Sequence, residues 1–295
     1  MHETDPFSRL AGIILVIISA ASFGTLAIFG RYAYSAGIDT TTLLFLRFTL
    51  SAILMSGLLV IRHETLPRGT TLGLLIGMGA IGYVGQSFCY LTAIKYASAG
   101  LVALLLYLYP TFVVILSAFF LKEKITRYKL FALGLATLGA VLTVNPQGGQ
   151  WTGILLALSA AIIYSVYIII GAGVMQKVSA IQSSMVIFAS AGFIYALLAA
   201  ANGPHWPSTK AGWLAIGAIT LVATVIPVTT FLAGVKRIGP TDASMLSTLE
   251  PAVTVILAAI LFGEILGPIT LLGGGLILTA VLLLTHGELR HRRQA

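Results

Sequence analysis

Charge is scarce in this sequence. Only 9% of its 295 residues are Asp, Glu, Lys or Arg, against roughly 25% in an ordinary soluble domain. So few charges cannot cover the surface of a soluble enzyme, and the composition is equally foreign to disordered, collagen-like or disulfide-rich chains. The single cysteine, Cys89, excludes an intrachain disulfide and a Cys-based zinc cluster. Catalytic signatures are missing too: there is no His-Glu-x-x-His helix, no Gly-x-Ser-x-Gly elbow and no P-loop. Three of the five histidines fall in the tails or at the end of the last apolar stretch, and His63 and His205 fall in expected loops. No metal or cofactor is therefore expected, and no ATP-driven pump within this chain. A net charge of +8 would suggest nucleic acid in a soluble protein. Here it is better read for membrane orientation.

Apolar residues make up 58% of the chain, and the mean hydropathy is +1.01. A helix needs about 20 apolar residues to cross a hydrocarbon core of about 30 Å. Uncharged stretches at 9–30, 40–61, 70–93, 98–121, 127–144, 151–172, 180–201, 211–235, 241–262 and 268–285 predict ten spans with short connections. With the N-terminus inside, thirteen Lys and Arg residues fall on inner segments and three on outer ones, with Arg47 inside a span. The expectation is a multi-pass protein of a bacterial-type inner membrane, both termini cytoplasmic.

An internal repeat appears at a shift of 141 residues. Gly12 falls on Gly153, Lys95 on Lys236, Pro110 on Pro251 and Glu123 on Glu264. Each half, 1–147 and 148–295, holds five spans, so the second half enters the membrane from the opposite side. The expected fold is all-α: ten transmembrane helices in two inverted five-helix repeats forming one integrated domain. Inverted repeats are a transporter signature, with the solute near the midplane and alternating access by rocking of the halves.

The segments "YLTAIKYASAGLVALLLYLYPTFVVILSAFFLKEK" (90–124) and "FLAGVKRIGPTDASMLSTLEPAVTVILAAILFGE" (231–264) both resemble the signature of EamA domains of the drug/metabolite transporter superfamily. "FLRF" at 45–48 looks like the family's second-helix pattern. The resemblance covers nearly the whole chain. It implies ten helices and export of small metabolites, often amino acids; bacterial members of this type include exporters of aromatic amino acids.

The polar residues inside the spans supply the candidate site. Arg47 lies about seven residues into span two, and a charge at that depth costs several kcal/mol unless paired or watered. It either faces the centre as a gate or charge partner, or snorkels to the interface. Glu250 lies about nine residues into span nine. At about 1.5 Å per residue the axial gap between the two is about 7 Å. Glu250 can bind a substrate amine, carry a proton, or hold a helix break by hydrogen bonding. Under the repeat, Arg47 matches Phe188 and Glu250 matches Tyr109, so both charges break the internal symmetry. Pro110 and Pro251 are a symmetric pair, read as hinges that kink spans four and nine. Tyr83, Gln86, Ser87 and Tyr90 share a face of span three, and Tyr107 and Thr111 of span four with Tyr164 and Tyr167 of span six extend its chemistry. Ser244 and Thr248 lie near Glu250; their alternative role is back-bonding to helix carbonyls. Gly73 and Gly77, and the run Gly273 to Gly275, are expected at close helix packing. Glu123 and Glu264 read as interfacial or capping, and the basic segment Lys122 to Lys129 as a topology signal.

The function expected is secondary transport: export of small amphipathic metabolites, above all amino acids, aromatic ones included. The expected partners are a small-molecule substrate and the lipid bilayer, with no nucleic acid and no obligate protein partner. An uptake permease for a similar solute fits the same residues. The rivals from other classes are an intramembrane enzyme, which lacks the acidic or His cluster it would need at one interface, and a non-transporting scaffold.

Overall fold

The computed structural model describes residues 6–93, 95–97, 99–143, 150–262 and 267–290. Among them there is no strand, and helices occupy each of the ten expected spans. Six helical stretches are long and apolar enough to cross a membrane by themselves. The other expected spans lie outside that set. Span four is Ala99–Leu106 followed by Tyr109–Phe120, span five is Arg127–Thr143, span nine continues into Leu249–Phe262, and span ten is Pro268–Arg290. Glu264 lies outside the described residues.

The breaks follow the backbone chemistry of the sequence. Pro110 and Pro251 were expected to kink continuous helices. Each instead sits in the first turn of a new helix, after a turn at Tyr107–Leu108 and at Ser247–Thr248, where its missing N–H costs no bond. Gly239 takes φ +84°, open to glycine without strain, and Pro240 starts the segment that follows. Span three contains a π-helical turn, Met78–Tyr83, and span eight another, Leu221–Val225. These fall at nearly the same place in the two repeats. Such turns insert one extra residue and leave backbone groups free to bond side chains.

Packing joins one half to the other. Span one lies along span eight, span two along span seven, span three along span six, and span five along span ten. Spans one and nine also meet, as do spans six and four. The repeat symmetry converts each of these pairs into itself or into another member of the set. Spans one, three, four, six, eight and nine therefore surround the middle, with two and seven, and five and ten, flanking it.

Glycines make several of these approaches possible. A Cβ on Gly12 would stand 2.7 Å from Arg237 and Ile238, and one on Gly153 would stand 2.8 Å from Ala97 and 3.0 Å from its backbone nitrogen. These are equivalent contacts in the two repeats. Gly139 packs on the Gly273 carbonyl between spans five and ten, whereas Gly274 and Gly275 of the same run have nothing within 4 Å of a Cβ. Gly73 and Gly77 do not pack; nothing lies within 4 Å of a Cβ on either. Their small-residue spacing faces open space. The glycine of span three that admits a neighbour is Gly79, against Ser190 and the Ile187 backbone.

Candidate functional site

Arg47 is 5% exposed. A buried guanidinium needs acceptors, and span eight supplies them from its π turn. Nε donates to Thr224 Oγ1 at 2.6 Å and a terminal nitrogen donates to the Ala223 carbonyl at 3.3 Å. Thr224 in turn donates to the Ile219 carbonyl at 2.8 Å. The guanidinium carbon also lies 5.1 Å from the centre of the Phe48 ring. Arg47 does not snorkel: it is held inside, by a hydroxyl and a carbonyl rather than by an acid.

Glu250 begins the second part of span nine, one residue before Pro251. Its backbone carbonyl accepts from Thr254 Oγ1 at 3.1 Å, and the same hydroxyl reaches the Gly24 carbonyl at 3.0 Å. Span one is interrupted there, between its helices Pro6–Gly24 and Leu26–Ser35. No described side chain hydrogen-bonds or ion-pairs with the Glu250 carboxylate. It nevertheless lies within electrostatic reach of Arg47 and of Tyr83, Tyr90, Tyr107, Tyr109 and Tyr164. One acid is thus surrounded by phenols, with a cation nearby that is bonded elsewhere.

The aromatics form a chain. Tyr195 stacks on Phe48 at 5.8 Å between centroids, and Phe48 meets Tyr83 edge-on at 5.1 Å. Tyr83 meets Tyr167 at 5.8 Å, Tyr167 stacks on Tyr164 at 5.8 Å, and Tyr164 meets Tyr109 at 4.8 Å. Centroid spacings of 4.5–7 Å with edge or offset geometry are the favourable range. The Tyr167 hydroxyl is buried without a hydrogen-bond partner among the described residues.

Of the residues expected from sequence, the structure gathers Arg47, Tyr83, Tyr107, Tyr164 and Glu250 in the middle. Gln86 keeps a local contact, accepting from Ser87 at 3.3 Å. Tyr90 packs in a separate small cluster with Ala93, Ala97, Val102 and Ala157. Ser244 and Thr248 are buried, and their hydroxyls donate to the Thr241 and Met245 carbonyls at 2.8 and 2.6 Å. A groove of about 410 Å³ lies between spans two and seven, lined by Phe45, Thr49, Ile53, Gly192 and Phe193 among others; none of the expected site residues lines it.

Reasoning from sequence missed Thr224, Phe48 and Tyr195. Thr224 had a signal, because the 141-residue shift places it on Tyr83 just as it places Arg47 on Phe188. Lys129 is more than a topology signal. It is buried and paired, with Nζ at 2.6 Å from Asp242 and 3.1 Å from Glu123. Asp242 also pairs with Arg9 at 2.7 Å, and Thr241 donates to Glu123 at 2.7 Å. Glu123 is accordingly more than an interfacial cap.

The model of the EamA-like transporter family matches twice, over residues 10–145 and 151–286. The chain belongs to this family. It is 25% identical over 281 residues to the uncharacterized transporter YcbK of Bacillus subtilis, covering 90% of this chain and 89% of that one. It is 24% identical to a probable terminal-alkyne amino-acid exporter of Streptantibioticus cattleyicolor, covering 78% of each. A crystal structure superposes with a TM-score of 0.82 at 21% identity, covering 97% of this chain and all of that one. That likeness shows the shared fold. This EamA-family chain is thus a multi-pass helical membrane transporter of two inverted repeats.

Proposed function

We propose that this EamA-family transporter exports small amphipathic solutes, above all amino acids with aromatic or other large side chains, across a bacterial-type inner membrane by alternating access. One observation carries the substrate class: the repeat-related positions in the middle are charged or hydroxylic in one set and aromatic in the other. Arg47, Thr224 and Glu250 stand where the other repeat has Phe188, Tyr83 and Tyr109. A solute with a charged head and an apolar body matches that division. Glu250, with no partner among the described side chains, takes the amine. Ring faces nearby favour the same cation. Arg47 attracts a carboxylate, and the tyrosine chain packs the body. The family resemblance to an amino-acid exporter supports this assignment.

Orientation rests on the thirteen basic residues of the inner segments, which place both termini in the cytoplasm. Alternating access rests on the inverted repeat, with the halves 1–147 and 148–295 as its arms and the breaks at Pro110 and Pro251 as hinges. The test is reconstitution into liposomes with a panel of labelled amino acids, aromatic and aliphatic, and with decarboxylated and deaminated analogues. Flux of the intact amino acids above both analogues is expected. Absence of flux for every amino acid would end the substrate reading and leave the transporter family untouched.

A further inference from the structure

Two inverted copies of one structure, if identical, would give a carrier with no preference between its two open states. Something unequal must set the resting state. At the end that carries the N-terminal helix, three parts of the chain are tied by a partly buried network. Arg9 at the start of span one pairs with Asp242 at 2.7 Å, and Asp242 pairs with Lys129 at the start of span five at 2.6 Å. Lys129 pairs with Glu123 at 3.1 Å, and Glu123 accepts from Thr241 at 2.7 Å. The side chains of Asp242 and Lys129 are only 5% and 13% exposed. Charges so placed interact far more strongly than surface pairs, and removing one partner strands the others.

The opposite end keeps only Glu123 of this set in sequence, as Glu264. The shift of 141 replaces Arg9 with Gln150, Asp242 with Leu101 and Lys129 with Thr270. Burial differs in the same sense. Every residue from Thr241 to Thr248 on span nine is buried, whereas the equivalents Ala103, Leu105, Leu106 and Tyr107 on span four are partly exposed. Among the described residues, this stretch is more deeply buried at the ionic end than its equivalent at the other, where Val102 alone of the matching positions is fully buried.

We propose that Arg9, Asp242, Lys129 and Glu123 form a one-sided latch that holds the carrier closed at the end bearing its termini, so that the unloaded protein rests open to the other side. This rests on the alternating-access reading above and is independent of the substrate. Opening the latched end requires the turn at Gly239–Asp242 to leave Arg9 and Lys129 together, so the network breaks as a unit. Gly239, in its left-handed conformation, is the joint beside it.

Two reporter thiols at equivalent positions test this in a Cys89→Ala background: Ser244→Cys, fully buried behind the latch, and Ala103→Cys at the same depth in the other repeat. With the latch intact, a water-soluble maleimide should label position 103 and spare position 244. With Asp242→Asn, labelling at 244 should rise about tenfold while labelling at 103 falls, a population shift of the size one buried pair can impose. Labelling that is unchanged at both positions in a monodisperse protein overturns the latch. So does a rise at both, which would mean local loosening. If Asp242→Asn does not fold, Arg9→Gln removes an outer partner only, and the same reciprocal change, about threefold, is expected or the proposal fails. Liposome flux is measured separately. Reciprocal labelling without amino-acid flux would refute the substrate and keep the latch.

Discussion

The two repeats solve one packing problem with different chemistry. In one, Arg47 of span two reaches Thr224 in the π turn of span eight. At the equivalent place in the other, Phe188 of span seven and Tyr83 in the π turn of span three both pack on Phe48. Likewise Ser165 donates to the Tyr109 carbonyl at 3.0 Å, where the matching contact brings Gly24 against the Glu250 carbonyl. The backbone frame is shared and the side chains are not. Duplication supplies the scaffold, and divergence within it gives the middle a charged side and an aromatic side.

The sharpest way to break that difference is to erase it. Glu250→Tyr copies the residue of the other repeat into span nine. Transport in liposomes should fall at least about a hundredfold if the carboxylate supplies charge complementarity that binding cannot do without, while the protein still purifies as a folded species. A rate within about twofold of the parent would show that the acid is not needed. Next, Thr224→Val keeps the shape of the π turn and removes the acceptor for Arg47. A hydrogen bond to a charged group contributes about 1.5–3 kcal/mol, so thermal unfolding in detergent should shift down clearly. Thr224→Ser should restore it, because the hydroxyl returns.

Much of the fold could be read before any coordinates. The ten spans and the inverted halves follow from hydropathy and one repeat offset, because lipid forces every backbone group into a helix. The site was legible in part. Arg47 and Glu250 stood out because charge within a span is costly, but hydropathy carries no lateral information. It did not reveal that Arg47 bonds to span eight instead of to Glu250, or that Lys129 is buried. Gly73 and Gly77 had the right spacing and the wrong face. The π turns leave no mark in composition, since a one-residue insertion in a helix changes register and not hydropathy.

Smaller effects sharpen the comparison further. Gly153→Ala should destabilise more than Gly12→Ala, within the range of about 1–3 kcal/mol for overpacking. The added methyl at 153 meets the Ala97 Cβ and backbone atoms of Tyr96 and Ala97, whereas at 12 it meets the Arg237 Cβ and the Ile238 Cγ2, of which the isoleucine branch can rotate away. Equal shifts in melting temperature would show that the two contacts are interchangeable. The smallest effect concerns the caps of spans two and seven. Burial alone would raise the Asp39 carboxyl, but bonds from Thr42 and Thr41 outweigh it and hold it below its ordinary value of 3.8. A group lowered in the folded state adds stability above its unfolded value, and loses it as pH falls through the folded one. Span seven is capped by the Ser179 hydroxyl with Gln182, although Glu64 also touches that hydroxyl. Hydrogen exchange at the start of span two should therefore quicken below about pH 4 more than at the start of span seven; equal behaviour would argue against the Asp39 cap.

The interleaving of the halves has a consequence for biosynthesis. The principal helix pairs join spans one and eight, two and seven, three and six, and five and ten, so the first five spans meet their main neighbours only after the second five have been made. Contacts this distant in sequence are slow to form, and the newborn first half must wait in the bilayer with its facing surfaces unfilled. Gly12, Gly79 and Gly139, which each meet a neighbour from the second half, have nothing to pack against during that interval. Synthesis of the two halves as separate chains should then yield an active carrier only when both are made together, neither half persisting alone.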